Sequence, residues 1–377
     1  NDLVGASFGR GFYVLDDYTA LRHVSEEMME EEATLLPVRK TPWYIQRRPL
    51  GGSGRASQGA SYFVAENPPF GAVFTYHLAE GLKSLKDQRR DGEKKLEKDW
   101  KDTPYVGFEA LEKERRQLKP AILLTVRDAN GDVVRALSGS APAGFHRVAW
   151  DLTYPTTSAI QRGQSPGEEE DSEGRDSGFM APPGSYTVTL SKRVDGQITD
   201  LSGPVSFDVV RYFEGVLDGM PPAATAVFMR RVAELQRSVT AANASMGHAF
   251  ETVDLLERAL ASSTVDPGTL DTEVESLRQR LFDLDEMLFG NRSRRSIGEP
   301  RVPTVAGRLR VAAMTDGQSD YGPTATHQRA FEIARNEYAI IEPQLRQILE
   351  VDIPALEAKM EVAGVPWTPG RSLPTVR

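Results

Sequence analysis

The chain has 377 residues, with 45 basic and 54 acidic side chains, a net charge of −9 and no cysteine. This length predicts two or three domains. The missing cysteines exclude disulfides, thiolate metal ligands and a cysteine nucleophile, and the acidic balance argues against nucleic acid as a partner. No apolar run reaches the roughly 20 residues of a membrane helix. The chain opens on Asn-Asp without signal-peptide character, so we expect a fragment or a processed product.

The first elements predicted are two short apolar strands around a glycine-rich turn. Leu3-Val4 and the run from Phe12 to Leu15 flank Gly9-Arg10-Gly11, a pattern typical of a β-hairpin. A two-stranded hairpin alone is marginally stable in water. We therefore expect these strands to belong to a larger sheet whose other strands lie elsewhere.

A connector and a linker are predicted next. Residues 21–36 contain an acidic helical turn that begins at Ser25, which we interpret as a solvated helix face. Residues 37–66 are rich in Pro, Gly, Arg and Ser, with Gly51-Gly-Ser-Gly54 at the centre, and this composition is typical of a linker.

Residues 67–211 predict an antiparallel β-sandwich of immunoglobulin or fibronectin type. Gly144–Leu152 and Ala181–Leu190 each follow a Gly/Pro turn and alternate apolar with polar residues. About seven such strands occur, and Asn130-Gly131 is a strong hairpin signal. The densely charged residues 82–119, broken at Asp102-Thr-Pro104, are interpreted as a helical hairpin inserted between strands.

Past residue 211 the apolar period changes from two to about three and a half, so residues 212–377 predict an α-helical bundle and tail. One amphipathic stretch runs through Phe228 to Val253 and a second through Leu270 to Leu288. A further helix begins near Thr324, with Pro343 and Pro354 expected to kink or restart it.

No catalytic, cofactor-binding or metal-binding residue emerges from the sequence. The five histidines are scattered without a zinc-binding spacing, and no nucleotide-binding or nucleophile-elbow motif is present. Asp16 and Asp17 are adjacent in an expected strand end, so they point to opposite faces, and capping the next segment is the simpler role. The acidic loop 168–176 lacks the spacing of a calcium loop, which favours a solvated loop, although calcium binding stays open.

The hairpin segment resembles a known family. Leu3-Val4-Gly5 through Gly9-Arg10-Gly11 to Leu15-Asp16-Asp17 is similar to the last-blade signature of large bacterial secreted β-propeller proteins, described as sortilin-like, BNR-repeat or sialidase-like "glycosyl hydrolase" proteins. Ala6 departs from that signature, which usually has Thr there. In the family the propeller precedes a domain similar to the flagellar-hook-cap immunoglobulin-like domain and then a helical region. The other matching pieces are residues 67–72, 144–154, 182–186, 321–324 and 365–370.

The resemblance implies that residues 1–36 are a last-blade segment with its connector, in an exported bacterial protein found outside the cytoplasm or on the cell surface. It supplies no catalytic residue, because Asp-box repeats and a sialidase-type arginine cluster would lie upstream. The glycosyl hydrolase label rests on fold analogy, which does not establish activity.

We expect a structural or interaction role for this chain: closing the propeller and docking it in a larger assembly. The partner would be an upstream propeller or another protein chain. Candidate interface aromatics are Trp43, Tyr44, Phe63, Phe70 and Trp367, with burial against the sandwich as the alternative. Two other functions stay open: accessory domains of a hydrolase whose active site lies upstream, and a carbohydrate-binding sandwich, for which an exposed Trp150 would be the best platform.

Overall fold

Strands and helices occupy separate parts of the chain. The computed structural model describes residues 2–9, 11–46, 67–160, 177–216, 218–300, 302–314 and 319–373. It is a mixed α/β structure with several sheets, one of them curled as a half-barrel, and a C-terminal helical region. Two compact units are distinguished, one of residues 1–155 and 180–216 and the other of residues 156–179 and 217–377.

The first unit begins with the predicted hairpin and a short helix. Strands β1 (Leu3–Ser7) and β2 (Gly11–Leu15) pair antiparallel. Helix α1 (Glu26–Glu30) follows, and the side chain of its N-cap Ser25 accepts a hydrogen bond from the backbone amide of Met28. Ser25 therefore starts the acidic turn as its position predicts.

Short parts of the predicted connector and of the predicted linker form strands. β3 (Ala33–Leu35) pairs with a neighbouring strand and buries Ala33 and Leu35. β4 (Thr41–Trp43) lies within the predicted linker and pairs in parallel with residues 209–211 at a sheet edge. A proline is tolerated there because an edge strand leaves one side of its backbone unpaired, so Pro42 does not exclude a strand. Residues 47–66 lie outside the described residues.

The remaining strands are β5 (Ala72–Leu78), β6 (Ala121–Arg127), β7 (Val133–Gly139), β8 (Gly144–Trp150), β9 (Thr153–Pro155), β10 (Ser177–Met180), β11 (Gly184–Val194) and β12 (Gln197–Arg211). The predicted alternating segments form all of these except the short strands β9 and β10, which the sequence does not predict. One sheet has the order β4-β12-β11-β6-β7 and another the order β3-β5-β8. β10 spans the boundary between the two units.

Side chains from both sheets meet in one hydrophobic cluster. Trp150, Phe74 and Leu190 are fully buried in it, and Tyr186 and Val188 are buried beside them. The alternate apolar positions of the predicted strands Gly144–Leu152 and Ala181–Leu190 therefore face this cluster, with Val148 half-buried at its margin. Gly71 (φ +100°) lies against the backbone of Trp150, and a Cβ at this position would come within 1.9 Å of the Trp150 carbonyl oxygen. Only a residue without a side chain therefore fits here.

The predicted helical insertion is confirmed. Helices α2 (Leu85–Lys98) and α3 (Phe108–Arg116) flank the expected break, and the Arg89 guanidinium joins them through the Glu114 carboxylate at 2.7 Å. Neither helix buries a residue fully. The insertion is held by ion pairs more than by a core.

The second unit is helical, as the change of period predicts. Its helices are α4 (Pro222–Ala261), α5 (Leu270–Phe289), α6 (Arg292–Ser296), α7 (Val305–Ala313), α8 (Ala325–Gln347) and α9 (Ile353–Ala363). Pro343 is accommodated inside α8, while a π-helical turn at Ile348–Asp352 precedes α9, whose first turn holds Pro354. Across the described ranges, no helix combines the length and apolar character needed to cross a membrane.

Candidate interaction surface

The hairpin β1–β2 is the most exposed apolar element of the described structure. Leu3 pairs with Leu15, Val4 with Val14, Gly5 with Tyr13 and Ala6 with Phe12. Gly9 (φ +74°) and Gly11 (φ +104°) flank the end of the turn in backbone conformations that favour glycine. The glycine-rich turn thus closes the hairpin as its sequence predicts.

Both faces of this hairpin are apolar. Because side chains alternate across a strand, Leu3, Tyr13 and Leu15 lie on one face and Val4, Phe12 and Val14 on the other. Every residue of both strands is exposed, and the exposed fraction of the large apolar side chains ranges from 47% for Leu15 to 80% for Phe12. Strands with water on one face alternate apolar with polar residues, whereas strands covered on both faces are apolar throughout. The hairpin has the residues of a covered element and the exposure of an uncovered one.

The hairpin edges offer unpaired backbone groups as well. Within the described ranges the two strands pair only with each other, so each has an outer edge whose amides and carbonyls can receive a further strand. Strand addition at such an edge is a common mode of protein recognition, with backbone hydrogen bonds for affinity and side-chain contacts for specificity.

The base of the hairpin is fixed by a carboxylate. The Asp2 side chain accepts a hydrogen bond from the Asp17 backbone amide at 2.9 Å and lies 3.6 Å from the Arg39 guanidinium. The hydrogen bond from the Asp17 amide is the main cause that lowers the pKa of Asp2 below its ordinary value. The positive charge of Arg39 lowers it to a smaller extent. Asp17 in turn accepts a hydrogen bond from the Thr19 amide at 3.3 Å, so it caps the following turn rather than pairing with Asp16.

The candidate interface aromatics differ in how far they are buried. Trp43 is buried in the cluster of the first unit, and its indole Nε1 donates to the Ala181 carbonyl at 2.8 Å. Trp367 in the second unit is 45% exposed and donates to the Ser372 carbonyl at 3.0 Å. Phe63 lies outside the described residues. Trp43 is therefore a core residue, and burial is the reading that holds for it.

Tyr44 and Phe70 are half-buried and contact each other, and Phe70 also packs against the hydrophobic cluster of the first unit. Their ring centroids are 5.0 Å apart in an edge-on arrangement, and Tyr44 also lies 5.9 Å from Tyr212. Tyr212 and Phe213 are strongly exposed and complete this group. Sequence reasoning missed these last two residues, although they directly follow the strand that carries Phe207 and Val209 inward.

The other proposed chemistries find little support in the geometry. Trp150 is fully buried and its Nε1 donates to the Thr153 carbonyl at 2.9 Å, so it offers no platform for a sugar ring. Within the described ranges, no three His, Asp or Glu side chains are grouped so that they could hold a metal ion. The acidic loop 168–176 lies outside those ranges.

Comparisons with known proteins add no assignment: no protein-family model, no curated protein and no solved structure matches this chain.

Proposed function

We propose that this chain is a non-catalytic interaction region of an exported β-propeller protein, and that β1–β2 is the part that joins it to the propeller. The observation that carries this proposal is the hairpin with two exposed apolar faces. A blade inside a propeller contacts a neighbouring blade on each face, and a covered strand needs apolar residues at successive positions. The role is to complete the propeller and to attach the remaining domains to it.

We propose further that the two sheets form an immunoglobulin-like sandwich. Trp150 packs edge-on against Tyr186 with ring centroids 5.2 Å apart. The Tyr186 hydroxyl donates to the Pro182 carbonyl, four residues back, at 2.5 Å. A buried tryptophan beside a tyrosine that bonds its own upstream backbone is a hallmark of that fold.

Photochemical cross-linking in the native source tests the docking role. A photoreactive phenylalanine analogue at position 12 is expected to cross-link to a β-rich segment outside these 377 residues, in the same polypeptide or a partner. Peptide mapping by mass spectrometry identifies that segment. The same analogue at position 198, which is 63% exposed on β12, is the matched control. Cross-links from position 12 only to residues of this chain contradict the proposal.

A further inference from the structure

The second unit contains a large groove, and no residue of the hairpin is among the residues that line it. It lies among the C-terminal turn of α5, helices α6 and α7, and the first turns of α8, with a volume of about 1120 Å³. Sites for small molecules are usually clefts of about 300–1,000 Å³. This groove slightly exceeds that range, which favours an extended ligand.

Arginine dominates the charge of the groove. Among the residues that the structure describes, five arginines line it, and the acidic lining residues are Glu286 and Glu299. The surrounding residues 292–310 hold six arginines and one glutamate, in a chain whose net charge is −9. No lysine lines the groove. The fork of a guanidinium suits bidentate bonds to carboxylates better than a lysine ammonium does.

Three of these arginines are available for a ligand. Arg294 lies 3.6 Å from Glu299, and Arg308 lies 3.3 Å from Glu337. Among the described residues no ion pair is found for Arg295, Arg310 or Arg329, and all three are exposed. The positive charge of the groove is thus only partly compensated within the described structure.

Apolar side chains lie between the arginines. Val302, which is 66% exposed, and Met287, which is 42% exposed, line the groove, as do the half-buried Phe289 and Ile333. Exposed apolar groups next to uncompensated cations fit a ligand that carries both carboxylates and hydrocarbon side chains.

We propose that this groove binds an acidic peptide segment of a partner protein. Its carboxylates pair with Arg295, Arg310 and Arg329, and its apolar side chains pack on Met287 and Val302. The complementarity of charge carries the proposal, and the volume and concavity of the groove favour a peptide over a flat lipid surface. The proposal does not depend on the role of the hairpin.

Binding of labelled peptides to the full chain tests this assignment. The probe is a fluorescent peptide of Glu-Glu-Leu repeats, compared with Gln-Gln-Leu and Lys-Lys-Leu peptides of equal length by anisotropy. We expect the glutamate peptide to bind at least about tenfold more tightly than either, since charge-assisted bonds are the stronger kind. Its affinity should fall as salt is raised.

Matched double variants locate the site. Arg310→Gln with Arg329→Gln should weaken binding of the glutamate peptide by about tenfold or more. Arg237→Gln with Arg258→Gln removes the same charge from exposed positions of α4 in the same unit and should change binding less than about twofold. Circular dichroism establishes that both variants fold.

Four results would overturn the proposal. The glutamate peptide fails to bind at millimolar concentration, or the control variant loses as much affinity as the groove variant. Phosphatidylserine vesicles bind through Arg310 and Arg329 while the peptide does not, which assigns the groove to lipid. In the fourth result, sedimentation shows that the chain self-associates, the groove variant abolishes this self-association, and the peptide does not compete with it. That result would assign the groove to a second copy of the chain.

Discussion

The hairpin β1–β2 and the strand pair β11–β12 share the same antiparallel pairing and differ in what covers them. Tyr186, Val188 and Leu190 of β11 point into a core and are almost completely buried. The apolar residues of the hairpin are exposed on both faces. β11 also alternates its apolar residues with polar ones, whereas Phe12 to Leu15 are apolar without interruption. We infer that β11 is covered by other residues of this chain, whereas the hairpin has the composition of strands that are covered by residues from elsewhere.

The comparison is sharpest when one aromatic residue is removed from each region. Trp150→Ala should lower the free energy of unfolding of the first unit by about 3–5 kcal/mol, because it leaves a large cavity. Phe12→Ala should change it by less than about 0.5 kcal/mol, because the ring is 80% exposed. Urea denaturation followed by circular dichroism measures both. Equal losses would mean that the hairpin is part of the same core.

Substitutions at two glycines with similar φ angles distinguish the effect of a steric clash from the effect of backbone strain. A Cβ added to Gly71 (φ +100°) would lie 1.9 Å from the Trp150 carbonyl oxygen. A Cβ added to Gly11 (φ +104°) would have no other atom within 4 Å. Gly71→Ala should destabilise the unit by about 3 kcal/mol or more, through strain and the displacement of β8. Gly11→Ala should cost about 1–2 kcal/mol of local strain only, within the hairpin. A similar drop in melting temperature for both would contradict this reading.

A smaller effect is expected at the tyrosine that ties β11 to its preceding loop. Tyr186→Phe keeps the ring and removes the hydroxyl that donates to the Pro182 carbonyl. The loss of one such hydrogen bond should lower the unfolding free energy by about 0.5–1.5 kcal/mol. Tyr13→Phe on the hairpin is the control, and it should leave the denaturation curve unchanged.

The smallest effect concerns the base of the hairpin and pH. The pKa of Asp2 is lowered in the folded state, so its contribution is present above the unfolded pKa of about 4 and is lost as pH falls through the lower folded value. The protection factor of the Asp17 amide, which is its exchange rate relative to the intrinsic rate at the same pH, should therefore fall under acid conditions when followed by NMR. Asp2→Ala removes the acceptor and should lower the protection factor already at neutral pH. An unchanged Asp17 amide in that variant would rule out the anchor.

Much of the strand and helix pattern could be predicted from the sequence, because burial on one face forces a visible period. Trp150 and Val188 follow a period of two and Leu281 a period near three and a half, and all three are buried. β3 and β4 were not predicted. Each is only three residues long, too short for a period, and Pro42 in β4 is permitted only by its place at a sheet edge.

The surfaces were harder to predict than the core. The sequence predicts the hairpin and a larger sheet around it, because a hairpin alone is marginally stable, but it does not predict that both faces of the hairpin are exposed in this chain. Tyr212 meets Tyr44 only because β12 pairs with β4, a contact between residues far apart in the chain. The groove is likewise a product of tertiary structure. Arg295 and Arg329 are distant in sequence, and the arginine-rich residues 292–310 were not recognised as a unit.

Hydrogen–deuterium exchange of β1 and β2 tests the central claim most directly, because it reports whether these strands are completed by others. In the chain alone, we predict that their amides exchange much faster than those of β11. In the protein isolated intact from its native source, the same amides should be strongly protected. Fast exchange of β1 and β2 in the intact native protein would show that nothing completes the hairpin, and would contradict the account.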